Sequence, residues 1–224
     1  LKFTKILCAA FIAALAGCQD LAKEVDHYLV KFRKEMVERK HLNSVPQGYS
    51  EDSFLVKCEC PRFGTGEGKG YIKESIRGVD LFVMVDVTNH SQTYTVCGHE
   101  NHMSPDNHFQ DLKRIISAAT GKAHRINVIM PFLYEGRQHR RTKRESLDCA
   151  IALKELSNMG VSNIITFDAH DPRVQNSIPL IGFDNFFPTY QFLKALVKEV
   201  PDLKIDNDHL MIISPDEGAM SRAV

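Results

Sequence analysis

An α/β fold with a parallel sheet flanked by helices is predicted by three features of the sequence. Apolar runs of strand length alternate with segments of helical periodicity along the whole chain, the pattern that places helices on a parallel sheet. The runs are continuously apolar rather than alternating, as in Asp80–Val87 (DLFVMVDV) and Ile126–Leu133 (INVIMPFL), which suits strands covered on both faces. Three of the strands end in groups able to bind or react. Arg137 and Gln138 follow one, Asp168, His170 and Asp171 the next, and Asp216 the last. Ligands of open parallel sheets sit beyond the carboxyl ends of the strands.

Phe11 to Ala16 reads as the first core strand, with Gly17 at a tight strand-to-helix turn. Leu21, Val25, Leu29, Phe32 and Met36 then recur at helical spacing. The same opening also reads as a secretory lipoprotein signal, with Lys2 and Lys5 before the run Ile6–Ala16 and a cleavage-like Leu15-Ala16-Gly17-Cys18. Residues 41–60 carry little pattern. Ser104 and Pro105 open a helix as cap and first residue; Phe109, Leu112, Ile115, Ile116 and Ala119 form its inner face, and Gly121 ends it. Pro131 near the end of the 126–133 run marks an edge or a bulge. A helix burying Cys149, Ala152, Leu153, Leu156 and Met159 stops at Gly160, and Ile164–Phe167 forms the next strand. A loop is predicted through Phe183-Asp184-Asn185, then a helix carrying Phe192, Leu193, Leu196 and Val197, then a strand over Leu210–Ser214. The chain starts at Leu1, and Ser221–Val224 reads as the opening of a helix, so a piece of a longer protein is expected.

Composition excludes some classes. Lys and Arg balance Asp and Glu at 28 each, so no global field favours nucleic acid. Six cysteines without a CxxC pair suggest reduced thiols. Cys58 and Cys60 are read as packing residues. Cys97, His99, His102 and His108 are of metal-ligand type, but the pattern is not HExxH and no carboxylate or Cys follows at ligand spacing, so a polar loop is expected there. Arg62–Gly70 (RFGTGEGKG) is not a P-loop: its glycines are one residue too close, and Gly70 stands where Ser or Thr would hold Mg²⁺.

The strand ends carry the chemistry. Arg137 offers a planar fork for phosphate oxygens. Nearby carboxylates suit Mg²⁺, which prefers oxygen ligands and keeps several waters. The basic run Arg137–Arg144 is open to three readings: a phosphate site, a solvated face or a nucleic-acid patch.

From about Phe11 to Val224 the chain resembles the ribose-phosphate pyrophosphokinase family. The resemblance rests on an ordered set: the Phe63–Glu67 loop before Glu74-Ser75-Ile76-Arg77-Gly78-Val79-Asp80, then Tyr134-Glu135-Gly136-Arg137-Gln138, Phe167-Asp168-Ala169-His170, Phe183-Asp184-Asn185, and Ile213-Ser214-Pro215-Asp216-Glu217-Gly218. It implies a phosphoribosyltransferase-like ATP-binding domain over residues 1–187 and the start of a second, similar domain over 188–224. It implies Mg-dependent transfer of the diphosphate of ATP to ribose 5-phosphate in a cytoplasmic homo-oligomer, a hexamer, without nucleic acid or membrane partners. Phe63, Thr65 and Glu67 would form an adenine-binding loop reaching a neighbouring subunit, Arg137 and Gln138 would contact ATP, and His170 and Asp216 would belong to the Mg²⁺ sites.

Three positions depart from the family pattern: Thr65 where Asn or Asp is usual, His139 where Asp is usual, and Ala219 where a second Gly follows Gly218. The 97–108 segment resembles an insertion. The resemblance puts the ribose-phosphate loop and a mobile Lys/Arg catalytic loop beyond residue 224, so this stretch alone is not expected to turn over. The departures also support a second reading, a non-catalytic homologue that binds nucleotide and oligomerises with an active synthetase.

Overall fold

The computed structural model describes residues 10–40 and 52–220; the residues before Ala10 and the expected helix opening at Ser221–Val224 lie outside the described residues. The elements in chain order are β1 (Ala10–Ala14), α1 (Gln19–Lys40), β2 (Leu55–Val56), β3 (Cys58–Glu59), β4 (Tyr71–Ile72), β5 (Asp80–Met84), β6 (Thr93–Val96), β7 (His99–His102), α2 (Pro105–Ala119), β8 (Arg125–Ile129), α3 (Asp148–Asn158), β9 (Val161–Phe167), β10 (Gly182–Phe186) and α4 (Thr189–Glu199). Six strands make one sheet in the order β10-β9-β8-β5-β1-β2, and every pairing within it is parallel. The chain divides into two compact units, Leu1–Phe186 and Phe187–Val224.

Alternation along the central strands sends side chains to two faces. Leu81 and Val83 of β5 join a large core with Phe109, Leu112, Ile115 and Ile116 of α2 and Cys149, Leu153 and Leu156 of α3. Met84 faces the other way with Ile12, Ala14, Cys18 and Ala22, under α1. Helices therefore cover both faces, which is why the central runs are apolar throughout.

Several expectations need correcting. α1 buries Ala22 and Arg33 rather than the predicted stripe, while Leu21, Leu29, Phe32 and Met36 stay exposed. The helix docks on a narrow arc in which small Ala22 allows close approach. Arg33 places its guanidinium over the Phe54 ring at 5.4 Å. β8 stops at Ile129, with Pro131 just past it. The 182–186 segment is a strand, not a loop: β10 pairs in register with β9, and Asn163 donates to Asp184 at 2.6 Å. Its alternating half-exposed residues gave no apolar run to detect. The 97–102 segment is likewise not a polar loop but half of a β6–β7 hairpin. Its two-residue turn is Cys97-Gly98, both with positive φ (48° and 81°), as tight hairpins require. In the second unit, α4 forms as predicted, but Leu210–Ser214 is not a strand. A strand needs a neighbour to pair with, and among the described residues this stretch has none.

The five described cysteines are free thiols. The Cys58 Sγ lies 3.3 Å from the Ala14 carbonyl oxygen, and that of Cys60 3.7 Å from the Asp111 carbonyl oxygen. Burial pushes their pKa values up to about 11 and about 12, so both are protonated packing groups at neutral pH.

The first unit holds a buried ionic cluster. Asp111 of α2 accepts a bidentate pair from Arg62 (2.6 and 2.8 Å) and a further bond from Arg114 (2.6 Å). The side chains of Arg62 and Asp111 are only 8% and 6% exposed. Gly70 is required beside it, because a Cβ there would lie 2.5 Å from the Arg114 carbonyl oxygen. Removing Asp111 leaves the Arg62 guanidinium buried without its carboxylate partner. Asp111→Ala is expected to cost about 3–5 kcal/mol, read from the denaturant midpoint. Asp111→Ala combined with Arg62→Leu should recover part of that loss.

Candidate functional site at the carboxyl edge of the sheet

Parallel pairing brings the carboxyl ends of β8 and β9 side by side, and the chain turns sharply after each. Glu135 and Asp168 both adopt left-handed backbone conformations, with φ of 54° and 44°. Such strain in non-glycine residues concentrates at binding and catalytic loops. The turn after β9 is held by β10: Asp168 N–H donates to the Phe186 carbonyl (2.9 Å), and Ala169 N–H to the Asn185 side-chain oxygen (2.9 Å). Beneath it, Thr166 and Asn185 are register partners. The Thr166 hydroxyl and the Asn185 amide nitrogen are buried with no hydrogen-bond partner among the described residues.

The turn after β8 is anchored to α2. Tyr134 stacks on Phe109 at 4.3 Å and donates its hydroxyl to Asp106 at 2.6 Å. Gln138 N–H donates to the Glu135 carbonyl at 2.8 Å. This turn presents Arg137 to solvent. Its guanidinium lies 6.0 Å from the centre of the Phe132 ring and makes no ion pair among the described residues, so its fork is available to an anion. His139 Nδ1 lies 3.1 Å from the Arg137 carbonyl oxygen. The His139 ring meets the His170 ring at 5.0 Å between centroids, and its Nε2 lies 3.6 Å from the Asp171 carboxylate. Asp171 is otherwise engaged by Arg173, through the side-chain Nε (2.9 Å) and the backbone N–H (2.9 Å). Those bonds hold its carboxyl well below the usual carboxylate range.

The third predicted element is the Phe63–Glu67 loop between β3 and β4. It is closed by Phe63 N–H to the Glu67 carbonyl (2.7 Å) and Gly66 N–H to the Phe63 carbonyl (2.8 Å). Phe63 is 56% exposed, and Thr65 donates its hydroxyl to Glu67 at 3.0 Å. α2 carries both loops: Asp106 holds Tyr134 and Asp111 holds Arg62, five residues apart, or about 7.5 Å along the axis.

The structure thus brings Arg137, Gln138, His139, His170 and Asp171 together on adjacent strand ends, and gives the Phe63–Glu67 loop the same supporting helix. Asp216 lies in the second unit, in a turn where its carboxylate accepts from Ala219 N–H at 2.8 Å. Among the described residues no three His, Cys, Asp or Glu side chains are grouped to hold a metal. His108, one of the metal-type residues in the sequence, is 1% exposed and bonds the Asn89 carbonyl oxygen through Nε2 at 2.7 Å. Sequence reading missed the His139–His170 contact and the Arg62–Asp111 clamp, because each joins residues separated by 31 or 49 positions with no local pattern.

An open parallel sheet with helices on both faces, and with an available arginine and paired imidazoles at the carboxyl ends of neighbouring strands, defines an α/β protein whose candidate site lies at the carboxyl edge of the sheet. Residues 10–160 match the family model for the N-terminal domain of ribose phosphate pyrophosphokinase, and the chain belongs to that family. It is 28% identical over 184 residues to a ribose-phosphate pyrophosphokinase of Staphylococcus haemolyticus, covering 75% of this chain and 48% of that protein. It is 30% identical over 173 residues to that of Bacillus caldolyticus, with the same coverage. The chain spans about half the length of the curated relatives it matches. A crystal structure of phosphoribosylpyrophosphate synthetase from Mycobacterium smegmatis shares the fold, with a TM-score of 0.63 at 18% identity, over 96% of this chain and 58% of that one. No helix among the described residues is long and apolar enough to cross a membrane.

Glu135 allows a pH test of the β8 turn. Desolvation raises its pKa, and Asp148 and Asp106 add to the effect. A carboxyl with a raised folded-state pKa contributes stability below its unfolded pKa and loses it as pH rises through the folded value. Glu135→Gln should therefore melt slightly above the parent at pH 7, and the difference should vanish on acidification below the ordinary glutamate range. Melting temperatures across that range test it.

Proposed function

We propose that this chain supplies the ATP-binding half of a ribose-phosphate diphosphokinase. In that reaction the 1-hydroxyl oxygen of ribose 5-phosphate attacks the β-phosphorus of ATP. The bond from that phosphorus to the α–β bridging oxygen breaks, AMP leaves, and the hydroxyl proton is released. The observation that carries the reading is the edge formed by Arg137 and the His139–His170 pair on adjacent parallel strand ends. Phosphoryl transfer needs positioning and charge neutralisation more than covalent help. Arg137 supplies a preorganised cation for the polyphosphate, and Gln138 beside it supplies an amide. Phe63 offers an exposed ring for the adenine face, and the Thr65–Glu67 pair offers a hydroxyl and a carboxylate for its edge.

Bound Mg²⁺ would neutralise phosphate charge. His170, just after β9, is the residue of the first unit assigned to it. Asp171 is already taken by Arg173, and the first unit groups no three metal-type donors among its described residues. Mg²⁺ prefers oxygen ligands and keeps several waters, so the His170 imidazole would act on it through a bound water. The same reading makes residues 188–224 the start of a second, similar domain and the protein a homo-oligomer. By the same reading, transfer also requires ribose-phosphate and catalytic loops besides the groups named here.

Titration with a non-hydrolysable Mg-ATP analogue tests the site. The parent chain is expected to bind. Arg137→Ala removes charge-assisted bonds of about 1.5–3 kcal/mol and should weaken binding at least tenfold, and His170→Ala should weaken it less. Undiminished binding in both variants would remove the site from this edge. Production of AMP from ATP and ribose 5-phosphate by this 224-residue stretch alone would show that these residues suffice for transfer.

A further inference from the structure

The β6–β7 hairpin has no role in the reading above, yet it touches the Phe63–Glu67 loop along its length. Side chains on one face of a strand recur every second residue. On β6, Tyr94 and Val96 are half-buried while Thr93 and Thr95 are exposed. The half-buried pair faces the loop. The Arg62 guanidinium, at the loop's base, lies 5.2 Å from the centre of the Tyr94 ring. Val96 packs on Gly66 so closely that a Cβ at Gly66 would stand 2.9 Å from Val96 Cγ2. At the hairpin tip, Cys97 N–H donates to the Gly64 carbonyl at 3.3 Å. These contacts engage the loop at its base, at Gly66, whose positive φ of 91° is open to glycine, and at its outer turn.

A support transmits position only if its own foot is fixed. The connection from β5 into the hairpin is fixed by Asn89. Its side chain donates to the Gly17 carbonyl at 2.9 Å, beyond the end of β1, and its carbonyl oxygen meets the buried His108 ring of α2 at 2.7 Å. His102 Nδ1 meets the His90 carbonyl oxygen at 2.9 Å, and Met103 N–H closes onto the Gln92 carbonyl at 2.8 Å. His108 and His102 thus serve as struts. The base of the loop is also pinned by the Arg62–Asp111 pair, through the same guanidinium that faces Tyr94.

We propose that the Thr93–His102 hairpin is a brace that sets the conformation of the Phe63–Glu67 loop, with Tyr94 and Val96 as positioning residues for the nucleotide base. This rests on the assignment of that loop to ATP. A loop held at its base and against the hairpin does not have to be ordered by the ligand, so binding keeps the free energy that ordering would cost. The hairpin thereby controls affinity for the nucleotide without touching it.

The test is hydrogen exchange of the loop, measured beside binding of a non-hydrolysable Mg-ATP analogue. In Tyr94→Ala/Val96→Ala, amides of Phe63–Glu67 should exchange about tenfold faster while those of β5 and β8 keep their protection, because opening is local. Analogue affinity should fall about tenfold in parallel. Tyr94→Phe/Val96→Ile, which keeps both packing surfaces, should restore both readings. If the double alanine variant loses core protection as well, Val96→Ala alone, which leaves Tyr94 on Arg62, gives the same comparison. Unchanged loop exchange in a folded variant would overturn the brace. Faster exchange with unchanged analogue affinity would keep the brace as a structural element but overturn its role in positioning the base. A parent chain that does not bind the analogue at all would refute the ATP assignment, while the exchange data would still decide whether the hairpin holds the loop.

Discussion

The first unit depends on α2 being immobile. Its inner face, Leu112, Ile115, Ile116 and Ala119, is wholly buried against the sheet. Its N-terminus is closed by Ser104, whose hydroxyl accepts from Asn107 N–H at 3.2 Å, with Pro105 in the first turn. From that fixed rod, three side chains reach the loops. Asp106 holds the β8 turn through Tyr134, His108 holds the approach to the hairpin through Asn89, and Asp111 holds the glycine loop through Arg62. A buried carboxylate clamped by two guanidiniums is an expensive way to hold a loop. It tolerates little displacement, and that suits a loop whose position matters.

The carboxyl edge has a different logic. Parallel strands all run the same way, so their exits share one edge whatever the loops contain. On β8 and β9 those exits are strained at Glu135 and Asp168. The strain is held by bonds to neighbours: Asp168 and Ala169 are tied to β10, and Tyr134 to α2. β10 is therefore more than an edge strand. It makes the β9 turn, and with it His170, a defined shape.

His139 shows how a departure from the family pattern is accommodated. Its ring is not left facing solvent; it lies against His170 and faces Asp171. Asp171 serves at once as cap of the 172–177 turn, partner of Arg173 and neighbour of His139. The edge has its own internal network, and it leaves Arg137 uncommitted.

The central strands of the parallel sheet, the caps of α2 and the helical periods of α3 and α4 were legible because each is a local pattern. A buried strand is apolar throughout, and a helix start needs an oxygen acceptor and tolerates proline. The residues Arg137, Gln138 and His170 were legible as chemistry placed just after such strands. The rest was decided by contacts between distant positions. β10 was unreadable because its residues are polar and only β9 makes them a strand. The hairpin turn at Cys97-Gly98 was hidden because its residues are of metal-ligand type. α1 buries a narrower arc than its apolar stripe, because the small residue, not the large ones, meets the sheet. The sequence by itself determined the central strands, the helices and which residue types stand at their ends. Only the tertiary structure decided which of those ends face one another, because register, loop anchoring and ion pairing depend on the distance between residues far apart in the chain.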